Sequence, residues 1–261
     1  MKRWVVSMAI ALTATGALAA VQVEPVEYAA GGTKLKGYVA VDTATTGKRP
    51  AVLVVHEWWG CNDYAKKRAA MLAELGYVGF ALDMFGDGRV TTSTAQAAKW
   101  AGEIRANPRL ARERFEAAMA KVKYHPLTDP DRVAAIGYCF GGSVCLDMAR
   151  AGLPLAGVAS FHGTLSTTAP ATAGSVKARI LVLHGDADPM VPDAQVKALE
   201  AEMKAAGADL KVVRYPGAVH SFTNPDAGKA GIEGVAYNEA ADKASWEELK
   251  AFLHSVFAAH P

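Results

Sequence analysis

Three residue types that together support nucleophilic catalysis occur in order along this chain: Cys139, Asp188 and His220. Cys139 stands in the run Gly-Tyr-Cys-Phe-Gly-Gly at 137–142, directly after the apolar segment 133–136. This is the spacing of a nucleophile elbow, G-x-S-x-G, with cysteine in the place of serine. A thiolate at such a turn attacks a carbonyl carbon, while a histidine supported by an aspartate moves the protons. The pattern therefore predicts acyl transfer through a covalent thioester.

The glycines of this motif have a steric purpose. Gly137 and Gly141 flank a sharp, strained turn in which added side chains would collide with the backbone. The turn exposes the cysteine sulfur at the end of a strand and the start of a helix. A helix N-terminus favours the thiolate, which is the reactive form of the thiol.

Two aspartates compete for the supporting role. Asp186 and Asp188 both lie in the loop that follows the apolar run 180–183. Asp188 lies deeper in that loop, before Pro189, so we expect it to pair with the histidine, and Asp186 is the alternative, expected to cap or hold the loop. His220 lies just past the last predicted strand, where a mobile loop brings it to the sulfur, and it is predicted to act as general base and acid.

Two backbone N–H groups are predicted to hold the oxyanion of the reaction. One belongs to Phe140, the residue after the nucleophile, and the other to Trp58, in the loop after the third strand. Among the other histidines, His162 and His184 end strands and are expected to have hydrogen-bonded structural roles, and His56 is expected to orient its neighbours. No Cys-x-x-Cys or Cys/His cluster indicates a metal site, and no cofactor is predicted.

The elements that must position these residues follow from hydrophobic periodicity. Strands are predicted at 21–28, 34–41, 51–55, 77–82, 132–136, 155–161, 180–183 and 210–215. Helices are predicted at 63–75, 94–123 with a break near Asn107-Pro108, 143–151, 194–206 and 239–258. Strands that alternate with helices indicate an α/β fold with a mostly parallel, doubly wound sheet and helices on both faces. We expect one domain over residues 20–261.

The first nineteen residues have the pattern of a secretory signal peptide. Lys2 and Arg3 precede a short apolar stretch, and Ala17-Leu18-Ala19 fits a cleavage site. The stretch is too short to span a bilayer comfortably, so export to the periplasm or beyond is predicted, without a stable membrane anchor after cleavage. The whole chain has 28 Lys and Arg against 26 Asp and Glu. Cleavage would remove Lys2 and Arg3, so the mature chain would have a formal net charge of zero. A neutral chain without a basic cluster argues against a nucleic acid partner.

The remaining cysteines, Cys61 and Cys145, leave two interpretations open. They could pair with each other in an oxidising compartment, or they could be two free thiols buried as small apolar groups. The second interpretation is favoured, because three cysteines do not form a disulfide framework.

With these residues assembled, the chain resembles the dienelactone hydrolase family of α/β-hydrolases over nearly its whole mature length. The motifs that carry the resemblance are His-Glu-x-x-Gly at 56–60, the elbow at 137–142, Gly-Asp-Ala-Asp at 185–188 and Gly-x-x-His-Ser-Phe at 217–222. The resemblance implies that Cys139 is the nucleophile, Asp188 the acid and His220 the base. It also implies that Glu57 is a gating carboxylate, which holds the resting thiol until substrate binding moves it. Like-charge repulsion would then disfavour the thiolate.

The chain departs from the family pattern at the residues that hold a substrate carboxylate. The position four residues after His220 is Asn224 rather than arginine, and Asp87 lies near the second expected arginine, with Arg89 two residues on. Asparagine cannot supply the charge of a bidentate clamp. We therefore expect a small ester or lactone substrate with little preference for a carboxylate. Aromatic residues in loops leave two interpretations open, an apolar pocket or packing in the core: Trp58, Trp59, Phe85 and Phe140.

Two other functions compete with the hydrolase. A binding protein could retain the fold without the chemistry, although no member of the catalytic set is missing. An exported redox-sensing thiol protein could use Cys139, although no resolving cysteine lies close to it in sequence. A Cys61–Cys139 bridge after oxidation would favour the redox function. The oligomeric state is not predicted.

Overall fold

The computed structural model describes residues 21–259, so the predicted signal peptide lies outside the described residues. Eight strands form one sheet in the order β1-β2-β4-β3-β5-β6-β7-β8. The strands are β1 (Val21–Ala30), β2 (Thr33–Asp42), β3 (Arg49–Val55), β4 (Val78–Leu82), β5 (Thr128–Tyr138), β6 (Gly157–Phe161), β7 (Arg179–Gly185) and β8 (Leu210–Tyr215). The helices are α1 (Asp63–Glu74), α2 (Thr94–Arg105), α3 (Pro108–Lys123), α4 (Phe140–Arg150), α5 (Asp193–Ala206) and α6 (Glu239–Ala258).

The sheet is antiparallel at one edge and parallel elsewhere. β1 and β2 form a hairpin whose turn residues, Gly31 and Gly32, both have positive φ (53° and 78°). β2 pairs antiparallel with β4, and every pair from β4–β3 to β7–β8 is parallel. The prediction of a mostly parallel α/β sheet is therefore confirmed.

Helices cover both faces because alternate strand residues point to opposite sides. In β3, Leu53 and Val55 belong to the apolar core on the face of α2, α3, α4 and α5. Val52 and Val54 belong to the core on the face of α1 and α6. β3 is therefore buried on both faces, as its continuous apolar run predicts. Among residues 21–259, no helix combines the length and apolar character that a membrane span requires.

The largest boundary differences lie around the elbow. β5 runs from Thr128 to Tyr138 rather than over 132–136, and α4 begins at Phe140 rather than at Ser143. Strand and helix are separated only by Cys139, because the turn at the cysteine passes directly from one element to the other. The polar and glycine residues that resemble a loop in sequence are the first turn of the helix.

The cysteines are all free. Cys61 lies in the apolar core on the α1 and α6 face, and Cys145 lies in the core on the opposite face of the sheet. Burial raises the pKa of both thiols. The two side chains are separated by the sheet, which favours the interpretation of two unreactive buried thiols.

Candidate active site

Four loops that follow parallel strands converge at the carboxyl edge of the sheet. The loop after β3 carries Glu57, and the turn after β5 carries Cys139. The loop after β7 carries Asp188, and the loop after β8 carries His220. Parallel sheets place ligand sites at this edge, because the carboxyl ends of all their strands meet there.

The turn at Cys139 is strained and held by close backbone packing. Cys139 has φ 52° and ψ −115°, a conformation that few non-glycine residues adopt. A Cβ atom on Gly137 would lie 2.1 Å from the carbonyl oxygen of Gly141, and a Cβ on Gly141 would lie 2.2 Å from that of Val55. Both positions therefore exclude side chains, as the motif predicts.

A chain of two hydrogen bonds links the side chains of Cys139, His220 and Asp188. His220 Nε2 lies 3.1 Å from Cys139 Sγ, and His220 Nδ1 lies 2.8 Å from Asp188 Oδ2. Because the carboxylate only accepts, Nδ1 carries a proton and donates it, and Nε2 faces the sulfur. The second oxygen of Asp188 accepts a hydrogen bond from the N–H of Met190 at 2.8 Å. The structure thus brings together the three residues proposed from their order in the chain.

The alternative acid lies elsewhere. Asp186 Oδ1 accepts a hydrogen bond from Arg214 at 2.8 Å on the surface. Asp188, by contrast, is 4% exposed and faces the imidazole. Asp186 therefore holds the loop to β8, whereas Asp188 is placed beside His220.

The surroundings of His220 favour its charged form. Burial alone lowers the pKa of His220, but the Cys139 sulfur and the Asp188 carboxylate outweigh it and raise the pKa to about 10. The backbone of this residue is also fixed, because its N–H donates to Gly234 and its carbonyl accepts from Ala236. An imidazolium beside a cysteine sulfur is the arrangement that stabilises a thiolate.

The two candidate oxyanion donors lie in separate segments, one at the start of α4 and one in the loop after β3. Phe140 is the first residue of α4, so its N–H has no intrahelical acceptor. Trp58 follows Glu57 in the loop after β3, and its N–H makes no hydrogen bond to another described residue. The loop is oriented by His56, whose Nδ1–H donates to the Glu57 carbonyl and whose Nε2 accepts from the N–H of Met84.

Glu57 is buried yet lines the same cavity as Cys139. Burial raises the pKa of its carboxyl group, and hydrogen bonds from Asn224 and Ser221 oppose that shift. Asn224 Nδ2 donates to Oε2 at 2.6 Å, and Ser221 Oγ donates to Oε1 at 3.0 Å. Glu57 therefore faces Ser221 and Asn224, whereas the sulfur of Cys139 faces His220.

A cavity of about 570 Å³ opens above Cys139. Trp59 and Asn224 line it, as predicted for the substrate pocket, together with Trp58. The apolar side chains of Met190, Ile232 and Val235 also line the cavity. The volume fits a small molecule with a carbonyl group placed at the sulfur.

Three residues predicted for the pocket have side chains outside it: Phe85, Arg89 and Phe140. Phe85 is 1% exposed and packs in the core against His56, Trp100 and Phe140. Arg89 donates to the carbonyls of Phe85 and Gly86, and its guanidinium lies 5.0 Å from the ring centre of Trp100. The turn after β4 carries both side chains away from the cavity, because Asp83 binds the N–H groups of that turn. The ring of Phe140 is also in the core, so only its N–H group is relevant to the site.

Two cationic residues, Arg105 and Lys229, also line the cavity. Arg105, the last residue of α2, lies 5.7 Å from the ring centre of Phe140 and makes no ion pair with a described residue. Lys229 is paired with Asp226 at 2.7 Å. No motif marks Arg105, because it ends an ordinary amphipathic helix that precedes the nucleophile by 34 positions. Across residues 21–259, no group of three or more His, Cys, Asp or Glu is arranged to hold a metal ion.

Comparison with known proteins identifies the family of this chain. The crystal structure of a dienelactone hydrolase-like promiscuous phosphotriesterase, P91, from metagenomic libraries is 37% identical and covers 91% of this chain and 99% of its own, with a TM-score of 0.86. A second structure, m3DLH, is 34% identical, covers 90% and 98%, and also has a TM-score of 0.86. A protein of Saccharolobus solfataricus, named provisionally as a carboxymethylenebutenolidase, is 27% identical over 88% of this chain and 97% of its own length. The model of the dienelactone hydrolase family matches residues 35–257, from β2 into α6, and this chain belongs to that family of hydrolases.

Proposed function

We propose that this protein hydrolyses small carboxylic esters or lactones through a thioester on Cys139. The observation that carries the proposal is the line from Asp188 through His220 to Cys139, with contacts of 2.8 and 3.1 Å, at the base of a cavity of about 570 Å³. The left-handed turn at Cys139 presents its sulfur to that cavity.

Acylation begins when the Cys139 thiolate attacks the carbonyl carbon. A C–S bond forms, and the carbonyl electrons move to the oxygen, where the N–H groups of Phe140 and Trp58 stabilise the oxyanion. Collapse of this intermediate breaks the C–O bond of the ester. The imidazolium of His220 gives its proton to the departing alkoxide, and the alcohol leaves.

Deacylation uses the same residues, but Cys139 is now a thioester and His220 is neutral. The thioester no longer carries the negative charge of the thiolate, so one cause of the raised pKa of His220 is removed. The neutral imidazole then takes a proton from water, and the resulting hydroxide attacks the thioester. The C–S bond breaks, the carboxylic acid leaves, and the thiolate and imidazolium are restored.

Glu57 is proposed to gate this cycle. It lines the same cavity as Cys139, and its carboxylate is held by Ser221 and Asn224. This arrangement corresponds to the productive position, because the sulfur faces His220. In the resting position the thiol would donate to the Glu57 carboxylate and would remain protonated.

The substrate is proposed to be a small ester or lactone that does not depend on a free carboxylate. Asn224 uses its amide to bind Glu57, and Arg89 lies outside the cavity, so neither forms a carboxylate clamp. A triaryl or dialkyl aryl phosphotriester belongs in the same substrate panel, because the similar structure P91 is described as a promiscuous phosphotriesterase.

Export is proposed as well. The support is the sequence at the N-terminus, where Lys2 and Arg3 precede an apolar stretch and Ala17-Leu18-Ala19. Expression of the full chain in a bacterium, followed by N-terminal sequencing of the periplasmic fraction, tests this proposal. Export predicts a new N-terminus near residue 20, and an uncleaved cytoplasmic product would contradict it.

Replacement of the nucleophile tests the proposed activity. We expect Cys139→Ala to abolish hydrolysis of p-nitrophenyl acetate and of a neutral γ-lactone. The matched control is Cys145→Ala, which removes a buried thiol on the same helix and should leave turnover within about twofold. Iodoacetamide should label Cys139 before Cys61 and Cys145, because burial raises the pKa of the latter two. Turnover that persists in Cys139→Ala would eliminate the thioester route.

A further inference from the structure

A buried histidine outside the catalytic line contacts the backbone of the nucleophile. His162 follows β6 and is 1% exposed. The N–H of Cys139 lies 3.1 Å from His162 Nδ1 and 3.0 Å from the carbonyl oxygen of Phe161, so it is shared between two acceptors. This N–H belongs to the strained residue whose side chain is the proposed nucleophile.

The contact determines the protonation of the His162 ring. The Cys139 N–H can only donate, so Nδ1 must be unprotonated and Nε2 must carry the proton. Nε2 lies 2.7 Å from Thr223 Oγ1 and donates to it. Burial, with the charges of His220 and Arg68, lowers the pKa of His162 well below its usual value, so the ring stays neutral.

Thr223 belongs to the loop that carries His220. Its hydroxyl lies 2.6 Å from the hydroxyl of Tyr64, which also accepts a hydrogen bond from Arg68 Nε at 3.2 Å. Arg68 donates through Nη2 to the Thr223 carbonyl at 2.7 Å and to Asp242 at 2.6 Å. A continuous buried network therefore runs from α6 and α1 through the histidine loop to the cysteine turn.

The backbone of His162 is also held under strain. Its φ is 41°, in the left-handed region that most residues avoid, and its N–H donates to the Leu183 carbonyl of β7 at 2.9 Å. Its ring packs edge-on against the rings of His220 and Phe222, with centres 5.4 and 5.2 Å apart. Such strain persists only where surrounding contacts over-determine the conformation, and here they aim the ring at the cysteine turn.

We propose that His162 is a positioning residue: with Thr223 it ties the cysteine turn to the histidine loop and so maintains the short contact between Cys139 and His220. The proposal deepens the proposed function and rests on it, since the contact matters for catalysis only if Cys139 is the nucleophile. A change of about 1 Å in that contact would slow thioester formation by up to about a hundredfold.

Thr223→Val tests the network with little change in the shape of the side chain. It replaces the hydroxyl that accepts a hydrogen bond from His162 with a methyl group. The matched control is Thr128→Val, at the start of β5, which removes a buried hydroxyl that has no hydrogen-bond partner among residues 21–259. We expect Thr223→Val to slow both iodoacetamide labelling of Cys139 and kcat by about tenfold to a hundredfold, with KM within about twofold. Thr128→Val should match the unmodified protein.

Two substitutions at His162 separate positioning from packing. In His162→Asn, the side-chain oxygen can replace Nδ1 as acceptor, and asparagine tolerates positive φ. His162→Leu fills space but cannot accept. Labelling and kcat should be recovered to within about threefold in His162→Asn but not in His162→Leu, when both are compared below their melting temperatures. Equal rates in the two variants would overturn the proposal.

The tautomer gives a readout that does not depend on activity. Nitrogen-15 spectra of the His162 ring should show a protonated Nε2 and an unprotonated Nδ1 in the unmodified protein. A protonated Nδ1 would overturn the proposal. If no ester is hydrolysed, the proposed function fails, while labelling and spectra still decide whether His162 positions Cys139.

Discussion

The floor and the rim of the cavity are built differently. We define the floor as Cys139, His220, Asp188 and Glu57, and the rim as Trp59, Arg105, Met190 and Lys229. On the floor, Asp188, His220 and Glu57 are buried, and each hydrogen-bonds to side chains from other loops. On the rim, Met190 is 42% exposed, and Arg105 lies over the ring of Phe140 without an ion pair to any residue of the described range.

This difference separates the chemistry from the choice of substrate. Asp188, His220 and Glu57 on the floor are held by hydrogen bonds in a buried environment, where the loss of one contact leaves a buried group unsatisfied. Rim residues are screened by water and compete with it for any substrate group. We therefore expect large effects on turnover from the catalytic residues of the floor, Cys139, His220 and Asp188, and small, substrate-dependent effects from the rim.

After replacement of the nucleophile itself, the largest effect on the floor should come from Asp188→Asn. The asparagine amide would donate toward Nδ1 of His220 and favour the wrong tautomer, so kcat should fall about 10³- to 10⁴-fold. The control is Asp186→Asn, which removes a surface partner of Arg214 and should leave kcat within about twofold. Steady-state kinetics with p-nitrophenyl acetate compare them, and equal losses would exclude a special role for Asp188.

The next effect is on stability and arises below the floor. Gly141→Ala would place a Cβ 2.2 Å from the Val55 carbonyl, so the free energy of unfolding should fall by about 3 kcal/mol. The control is Gly102→Ala in α2, where no atom lies within 4 Å, which should stabilise the helix by about 1 kcal/mol. Urea unfolding measures both. A Gly141→Ala protein of unchanged stability would show that the elbow is not tightly packed.

On the rim, Arg105→Ala should affect only anionic substrates. We expect kcat/KM to fall about threefold to tenfold for an ester with a free carboxylate and to stay unchanged for its neutral amide analogue. The difference between the two substrates should shrink at 0.5 M salt, because dissolved ions screen exposed charges. The screening length is about 10 Å at 0.1 M salt and is shorter at 0.5 M. Arg109→Ala, which removes an exposed cation outside the cavity, is the control. A loss above a hundredfold would contradict the distinction between floor and rim.

The smallest predicted effect is a change in stability at Glu57. Its pKa is raised by burial, so the folded protein holds the proton more strongly than the unfolded chain, and stability falls as pH rises above about 4.5 toward the raised value. Glu57→Gln removes this penalty, so its melting temperature should exceed that of the unmodified protein by about 2–4 °C at pH 8 and by less at pH 5. Glu103→Gln, at an exposed glutamate, is the control. A larger gain in melting temperature at pH 5 than at pH 8 would contradict the upward direction of the Glu57 pKa shift.

The fold was largely predictable because its signals are local. The apolar run before Gly137 and the spacing of α6 specify element type without knowledge of neighbours, and the bounds of β8 and α6 agree with the prediction. The start of α4 was not predictable to the residue. Its first turn contains two glycines, which read as a loop until the packing of the elbow is known.

The candidate site was also predictable only in part. The chain order of nucleophile, acid and base brought Cys139, Asp188 and His220 into the prediction before any distance was known. Phe85 was placed in the pocket wrongly because a loop position does not reveal which way a ring points. The hydrogen-bonding role of His162 toward Cys139 had no sequence signal, because it depends on a contact between residues from β6 and β5.

By itself, the sequence determined the α/β class, the family motifs and which residues could be nucleophile, acid and base, because spacing along one strand or turn is a short-range property. Only the tertiary structure decided that Asp188 rather than Asp186 faces the imidazole, that Asn224 binds Glu57, and that Arg105 lines the cavity. Those contacts join segments far apart in the chain. Their geometry follows from how loops of different strands meet at one edge of the sheet, which no local pattern encodes.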